Sequence, residues 1–145
     1  MQKEQRFWNV VALGFFVCLC ALSVGLISRF APGESANFGF FDLTVLGLAT
    51  FRLVHLITYD KIFNVVRDPL MDGSRGSLKK APWGWRRLAS ELFECIWCTG
   101  MWSGLFAVTI YFLGIWGRFA IIVLAVAGLG SLLQVISKTI AEAAK

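Results

Sequence analysis

The stretch FWNVVALGFFVCLCALSVGLI, residues 7–27, runs for twenty-one positions without a charged side chain. A transmembrane helix needs about 20 apolar residues to cross a hydrocarbon core of roughly 30 Å. The apolar region of a signal peptide is shorter, about 7–15 residues, and no convincing cleavage site follows residue 27. The stretch therefore predicts an uncleaved membrane span.

The rest of the chain has the composition of a membrane protein. Of its 145 residues, 57% are hydrophobic and only 16% are charged, whereas soluble domains are about half apolar and a quarter charged. Three further apolar runs follow, at residues 40–59, 96–116 and 119–136, with a turn-rich segment at 29–39 and a break at Gly117 and Arg118. The sequence predicts an all-α, integral membrane bundle of four transmembrane helices in a single domain, residues 1–145.

The middle loop, residues 60–95, contains Pro69 and Pro82 and is therefore not one continuous helix. From residue 83 to residue 96 the sequence becomes periodic, with Leu88, Leu92 and Ile96 on one face. This pattern predicts an amphipathic helix that lies in the membrane interface before the third span begins.

Lysine and arginine residues are distributed unequally between the two sides of the predicted membrane. Two precede the first span, seven lie in the middle loop and two lie in the tail, against one in each of the other two loops. Because cytoplasmic loops carry an excess of Lys and Arg, both termini and residues 60–95 are predicted to be cytoplasmic. The net charge is +5, and most charged side chains fall in these gaps between apolar runs, so the pattern indicates orientation and does not indicate nucleic-acid binding.

The second span is the least hydrophobic, because it contains Arg52 and the single histidine, His55. A charge inside a span is costly and is by default a candidate functional residue. His55 and Tyr59 share a helical face with Arg52, and Asp60 follows directly. These four residues predict a polar cluster at the cytoplasmic end of the second span. The alternative to a ligand role is that Arg52 reaches the headgroups or pairs with an acidic residue such as Asp60.

Cys95 and Cys98 form a C-x-x-C pair where the interfacial helix meets the third span. Such a pair at a helix start favours thiol exchange, and it also supplies half of a zinc site. Zinc would need two more ligands, and His55 and a carboxylate such as Asp60 are near the right depth, so zinc or iron bound by Cys95, Cys98 and His55 is one interpretation. The simpler interpretation is a reduced, structural pair, since a disulfide framework would need more cysteines in a polar chain.

Gly100 and Gly104 form a G-x-x-x-G pattern within the third span. Small residues at this spacing let membrane helices approach closely. The pattern therefore predicts a helix-packing surface, and we favour packing within the chain over packing between copies.

Two blocks of sequence resemble a known family. The blocks are Leu48-Ala49-Thr50-Phe51-Arg52-Leu53 with Tyr59-Asp60-Lys61-Ile62 and Arg67-Asp68-Pro69, and then Cys95-Ile96-Trp97-Cys98-Thr99-Gly100-Met101-Trp102. They are similar to signatures of the domain-of-unknown-function family numbered 1360, small bacterial membrane proteins of which some are labelled sporulation proteins and others occur in phage genomes. The resemblance covers roughly residues 41–115 and implies that the two blocks belong to one site. Ile96 replaces the proline of the family's C-P-W-C form, which loosens a redox analogy.

The sequence favours a non-enzymatic, structural or interaction protein of the bacterial cytoplasmic (inner) membrane. Its expected partners are the lipid bilayer and other membrane proteins or copies of itself. A metal-binding or thiol-redox protein built on the C-x-x-C pair is the alternative, and a pore or holin-like protein is the third interpretation. The spans offer few polar residues to line a pore.

Overall fold

A computed structural model describes residues 2–30, 38–63, 65 and 85–144 of the chain. Within those ranges there are five α-helices and no β-strand, so the all-α prediction is confirmed. The helices are α1 (Gln2–Phe30), α2 (Phe40–Thr58), α3 (Trp85–Glu94), α4 (Ile96–Phe112) and α5 (Ile115–Ala143), and a 3₁₀ turn at Lys61–Phe63 follows α2.

Three helices in the described part of the chain are long and apolar enough to cross a membrane. They are Arg6–Phe30, Phe40–Thr58 and Ile115–Ala143. The segments Arg87–Phe93 and Ile96–Phe112 make a fourth candidate if they count as one span bent by 85°. The protein is thus a helical bundle with three or four candidate spans, judged by length and composition.

The turn between the last two helices lies earlier than the sequence predicted. It is formed by Leu113 and Gly114, and Gly114 has a φ of 115°, a backbone conformation that glycine adopts without steric cost. The predicted break at Gly117 and Arg118 is wrong, because the Arg118 N–H already donates a helical hydrogen bond to the Gly114 carbonyl at 3.0 Å. Gly117 instead lets the backbone of α5 pass close to that of α4, since a Cβ at position 117 would collide with the Ile110 carbonyl group.

The polar tail is also helical. The sequence placed the end of the last span at residue 136, but α5 continues to Ala143. Its 29 residues correspond to about 43 Å at a rise of 1.5 Å per residue, which exceeds a hydrocarbon core of roughly 30 Å. The polar residues after position 136 therefore extend the helix beyond the apolar segment.

The predicted interfacial helix is present as α3, from Trp85 to Glu94. It ends immediately before Cys95, where the chain bends by 85° into α4. The Thr99 hydroxyl donates to the Leu92 carbonyl at 2.7 Å and so ties the two helices together across the bend. Residues 64 and 66–84, which include most of the predicted loop with Pro69 and Pro82, lie outside the described residues.

The buried core is formed by three helices, α2, α4 and α5. At its centre are two alanines with no exposed surface, Ala49 of α2 and Ala107 of α4, beside Ile121 of α5, which is 1% exposed. Their small side chains allow the helix axes to approach closely. Helix α1 contributes Ile27 only at the edge of this core, so α1 is attached to the outside of a three-helix unit.

Side-chain contacts show that α1, α2, α4 and α5 alternate in direction along the chain. Tyr111 near the end of α4 donates a hydrogen bond to Asp42 near the start of α2. Arg118 near the start of α5 lies over the same tyrosine ring, 5.3 Å from its centroid. Thr109, also late in α4, bonds to Ser23, late in α1, at 2.9 Å. One end of the bundle therefore holds the ends of α1 and α4 and the starts of α2 and α5.

The closest helix crossing in the core is that of α5 over α2. A Cβ on Gly128 would collide with the Leu48 carbonyl oxygen and would lie 3.3 Å from the Arg52 Cβ. In a bilayer, helices associate chiefly through this kind of close packing, because lipid tails are as apolar as the side chains themselves. Gly128 therefore determines how near α5 comes to the segment of α2 that carries Arg52.

We expect Gly128→Ala to lower the free energy of unfolding by about 1–3 kcal/mol, since the added methyl group meets a backbone carbonyl that cannot rotate away. The measurement is unfolding of the purified protein in mixed detergent micelles, followed by circular dichroism. Gly130→Ala is the matched control, because nothing lies within 4 Å of a Cβ at position 130. Equal stability of the two variants would contradict the proposed crossing.

Candidate functional site

Arg52, in the second half of α2, is paired within its own chain. Its Nη2 atom donates to Asp60 Oδ2 at 3.0 Å, and the two side chains are 22% and 27% exposed. Asp60 reaches Arg52 because the chain turns directly after α2, where the Asp60 N–H bonds to the His55 carbonyl at 3.3 Å. The ion pair neutralises a charge that would otherwise be costly at membrane depth.

His55 and Tyr59 extend this group along α2. His55 Nδ1 lies 3.8 Å from Asp60 Oδ1, beyond hydrogen-bond distance, and it has no hydrogen-bond partner among the described residues. The His55 ring lies 5.0 Å from the Tyr59 ring, and Tyr59 is 58% exposed. These side chains are therefore neighbours in the structure, and one of them is an exposed aromatic ring. They are called the Arg52 cluster, which consists of Arg52, His55, Tyr59 and Asp60.

Cys95 and Cys98 lie at the start of α4 as free thiols. Cys95 is the N-cap residue, and its sulfur accepts the Cys98 N–H at 3.2 Å. The pKa of the Cys95 thiol is lowered, because hydrogen bonds from the Cys98 thiol and from the Cys98 backbone stabilise its thiolate. Chemically, the pair offers one activated sulfur next to a second thiol.

Arg52 and the helix that carries the two thiols, α4, lie on different faces of α2. A Cβ on Gly100 would lie 4.0 Å from Val54, and one on Gly104 would lie 3.8 Å from Thr50, so α4 covers the Thr50–Val54 face of α2. Arg52 lies two positions from each of these residues, about 200° around the helix, and meets α5 at Gly128. In the described part of the chain, no hydrogen bond or ion pair joins the cluster to the thiols.

The predicted metal ligands do not form a group in the described residues. No three or more His, Cys, Asp and Glu side chains within those ranges lie close enough together to hold a metal ion. His55 lies beside Asp60 and Tyr59, whereas Cys95 and Cys98 are joined to each other by a hydrogen bond. The zinc or iron site on Cys95, Cys98 and His55 thus has no support from the geometry.

Sequence reasoning missed a second polar cluster, at the opposite end of the bundle. Asp42 accepts the Tyr111 hydroxyl and also the Gly39 N–H, at 2.8 Å for the latter, and Arg118 stacks over the tyrosine. These residues connect the start of α2, the end of α4 and the start of α5. A signal was present in the sequence, because Asp42 and Arg118 are opposite charges at the same predicted side of two spans.

The chain is similar to known proteins. A family described as "Protein of unknown function (DUF1360)" matches residues 45–137, which include both the Arg52 cluster and the cysteine pair. The chain belongs to the DUF1360 family. The match excludes all of α1 and includes most of α5, so the family region corresponds closely to the three-helix unit with α3. The resemblance noted from the sequence is confirmed.

Two relatives of the chain come from Bacillus subtilis (strain 168). UPF0713 protein YngL is 31% identical over 100 residues, which cover 66% of this chain and 77% of YngL. Sporulation protein YjcA is 28% identical over 111 residues, which cover 69% of this chain and 94% of YjcA. No solved structure matches the chain.

We expect Arg52→Met and Asp60→Asn each to lower the free energy of unfolding by about 1.5–3 kcal/mol, because each leaves a partly buried polar partner without its charged hydrogen bond. The double variant should lose clearly less than the sum of the two, and the difference is the coupling energy of the pair. Unfolding in mixed micelles provides all four values.

The control for this cycle is Arg87 and Glu91, an i,i+4 pair of α3 with an Nε–Oε1 distance of 3.0 Å and more exposed side chains. Its coupling should be at most about 0.5 kcal/mol. If the Arg52–Asp60 coupling is no larger than this, the pair does not stabilise the bundle.

Proposed function

We propose that the chain is a non-enzymatic protein of the bacterial cytoplasmic membrane that acts by binding another membrane protein at the cytoplasmic end of α2. One observation carries this proposal: Arg52, the charge within a span, is already paired with Asp60 at 3.0 Å. An arginine held in this way is poorly suited to bind an anionic substrate, but it stabilises the end of α2. That end presents Tyr59, which is 58% exposed beside the ring of His55.

The orientation is part of the proposal. Eleven of the lysines and arginines flank the spans on the side that holds both termini and the middle loop, and this excess favours the cytoplasm. The alternating helix directions support the same arrangement, because they bring the start of α4 and the end of α2 to one end of the bundle. The Arg52 cluster and the thiols would then both lie toward the cytoplasm.

Reporter fusions test this orientation. We expect green fluorescent protein fused after Ala144 to fluoresce and alkaline phosphatase fused there to be inactive, since that enzyme folds only in an oxidising compartment. A phosphatase fused after Gly114, between α4 and α5, should be active. The reverse pattern at these two positions would show that the protein has the opposite orientation.

Photocrosslinking tests the proposed contact surface. A photoreactive phenylalanine analogue at Tyr59 should crosslink to a membrane protein in living cells, and the mass of the product distinguishes a second copy of the chain from a different partner. Phe119 is the matched control, because it is 63% exposed but lies at the opposite end of the bundle. Equal crosslinking from both positions, or none from either, would contradict binding at the end of α2.

The setting for such a partner is suggested by a relative. The match covers 94% of sporulation protein YjcA, so nearly the whole of that protein has a counterpart here. We propose spore formation as the first process in which to look for an effect of losing this chain. The crosslinking at Tyr59 is then best performed both in growing and in sporulating cells of a spore-forming host.

A further inference from the structure

A large cavity lies between α1 and the three-helix unit. Its volume is about 880 Å³, and its walls come from α1, α2, α3 and α4, with Phe63 of the 3₁₀ turn at one edge. Trp8 and Ala12 form the wall on α1, and Ser103 lies in the wall on α4. The cavity is separate from the Arg52 cluster, since none of the four residues of that cluster lines it.

The lining is largely apolar; its polar side-chain groups are the indole N–H groups of Trp8 and Trp102 and the hydroxyl groups of Thr99 and Ser103. No charged side chain lines the cavity among the described residues. The Thr99 hydroxyl is satisfied by the Leu92 carbonyl at 2.7 Å. Ser103 is 4% exposed, and its hydroxyl has no hydrogen-bond partner in the described part of the chain. A buried hydroxyl without a partner is unfavourable, and rotation of the Ser103 side chain into the cavity would let a ligand supply the missing partner.

The size and position of the cavity indicate what fills it. Protein interiors leave few voids larger than a water molecule, and a partly open pocket with so few polar groups offers ordered water few hydrogen-bond partners. A volume of about 880 Å³ lies within the range of ligand pockets, about 300–1,000 Å³. Because α1 and α2 are candidate membrane spans, and α3 with α4 makes a further candidate if the two count as one bent span, the surrounding solvent is lipid, and a hydrocarbon chain is the available occupant.

The occupant must also be uncharged at the depth of Ser103. This residue lies seven positions after Ile96, about 10 Å along α4 from the bend. Moving a charged head group to that depth is costly unless an opposite charge meets it, and the described lining offers none. A neutral oxygen, in contrast, would satisfy the Ser103 hydroxyl.

We propose that this cavity is a binding site for one uncharged lipid, a long hydrocarbon chain with a hydroxyl or carbonyl oxygen that hydrogen-bonds to Ser103. The hydrocarbon chain of the lipid lies between α1 and α4 and fills the space between α1 and α2. This site does not depend on the proposed partner binding at Tyr59, and either can fail without the other.

Quenching of tryptophan fluorescence tests the proposal, because Trp8 and Trp102 both line the cavity. The full-length protein in detergent is titrated with four dibrominated probes that share one chain length: dibromo-oleyl alcohol, the methyl ester, the carboxylate at pH 8, and the dibromoalkane without oxygen. We expect saturable quenching by the alcohol or the ester. The carboxylate should bind at least about tenfold more weakly, and comparing the alcohol with the ester distinguishes a hydroxyl from a carbonyl ligand.

Two substitutions locate the binding. Ser103→Ala should weaken binding of the preferred oxygen-bearing probe about fivefold to tenfold and leave the dibromoalkane unaffected. Its control is Ser131→Ala on α5, where the serine hydroxyl is bonded to the Ala127 carbonyl at 2.9 Å. Ala12→Phe should abolish saturable quenching by filling the cavity from α1, whereas Ala21→Phe on the exposed side of the same helix should not. Ala89→Phe fills the cavity from α3 and replaces Ala12→Phe if that variant does not fold.

Three results would overturn the proposal. Quenching that is equal in the filled variants and in Ala21→Phe would show only partition of the probes into the micelle. Carboxylate binding as strong as that of the alcohol and the ester would remove the requirement for an uncharged lipid. Binding of the oxygen-bearing probes that is unchanged in Ser103→Ala would remove the hydrogen bond on which the ligand class rests.

Discussion

The crossing of α5 over α2 at Gly128 is the contact on which the rest of the bundle depends. In water, burial of apolar side chains would drive these helices together, but in lipid that driving force is largely absent. Close backbone approach replaces it, and glycine provides that approach opposite the Leu48 carbonyl. The same crossing brings α5 against Arg52, so the position of the charged residue within the bundle follows from the packing of a glycine.

A cluster of charged and polar residues lies at each end of α2. At one end Arg52 pairs with Asp60, and at the other Asp42 accepts a hydrogen bond from Tyr111, over which Arg118 lies. Each cluster combines one carboxylate with one guanidinium group and is therefore neutral as a unit. Such pairing reduces the cost of charge at membrane depth, and hydrogen bonds specify the register of helices more strictly than apolar contacts do. The bond between Asp42 and Tyr111 gives α2 a defined position relative to α4, whereas the Arg52–Asp60 pair fixes the turn that follows α2.

Helix α1 has a different relation to the molecule. It lies entirely outside the region that matches the DUF1360 family, and it contributes only Ile27 at the edge of the buried core. Its contacts to α4 include the Ser23–Thr109 hydrogen bond and the packing of Phe15 and Phe16 on the Trp102 ring, with centroid distances of 5.9 and 4.9 Å. Because α1 touches α4 and leaves space toward α2, it encloses the cavity without filling it. The first span thus serves as one wall of a proposed lipid site built on the family's helical unit.

The sequence alone determined the helical class, the candidate spans and the charge asymmetry, because twenty apolar residues in a row and the positions of lysine and arginine are local properties. It also indicated Arg52, Asp60, Cys95 and Cys98 as residues of interest. The tertiary structure decided which of them meet. Arg52 and the cysteines share a sequence-derived depth, but the α2 face that carries Arg52 is opposite the face covered by α4. Helical periodicity defines faces and does not say which neighbour covers each one. The turn at Gly114, the Asp42–Tyr111 bond and the cavity at Ser103 likewise depend on contacts between residues far apart in the chain.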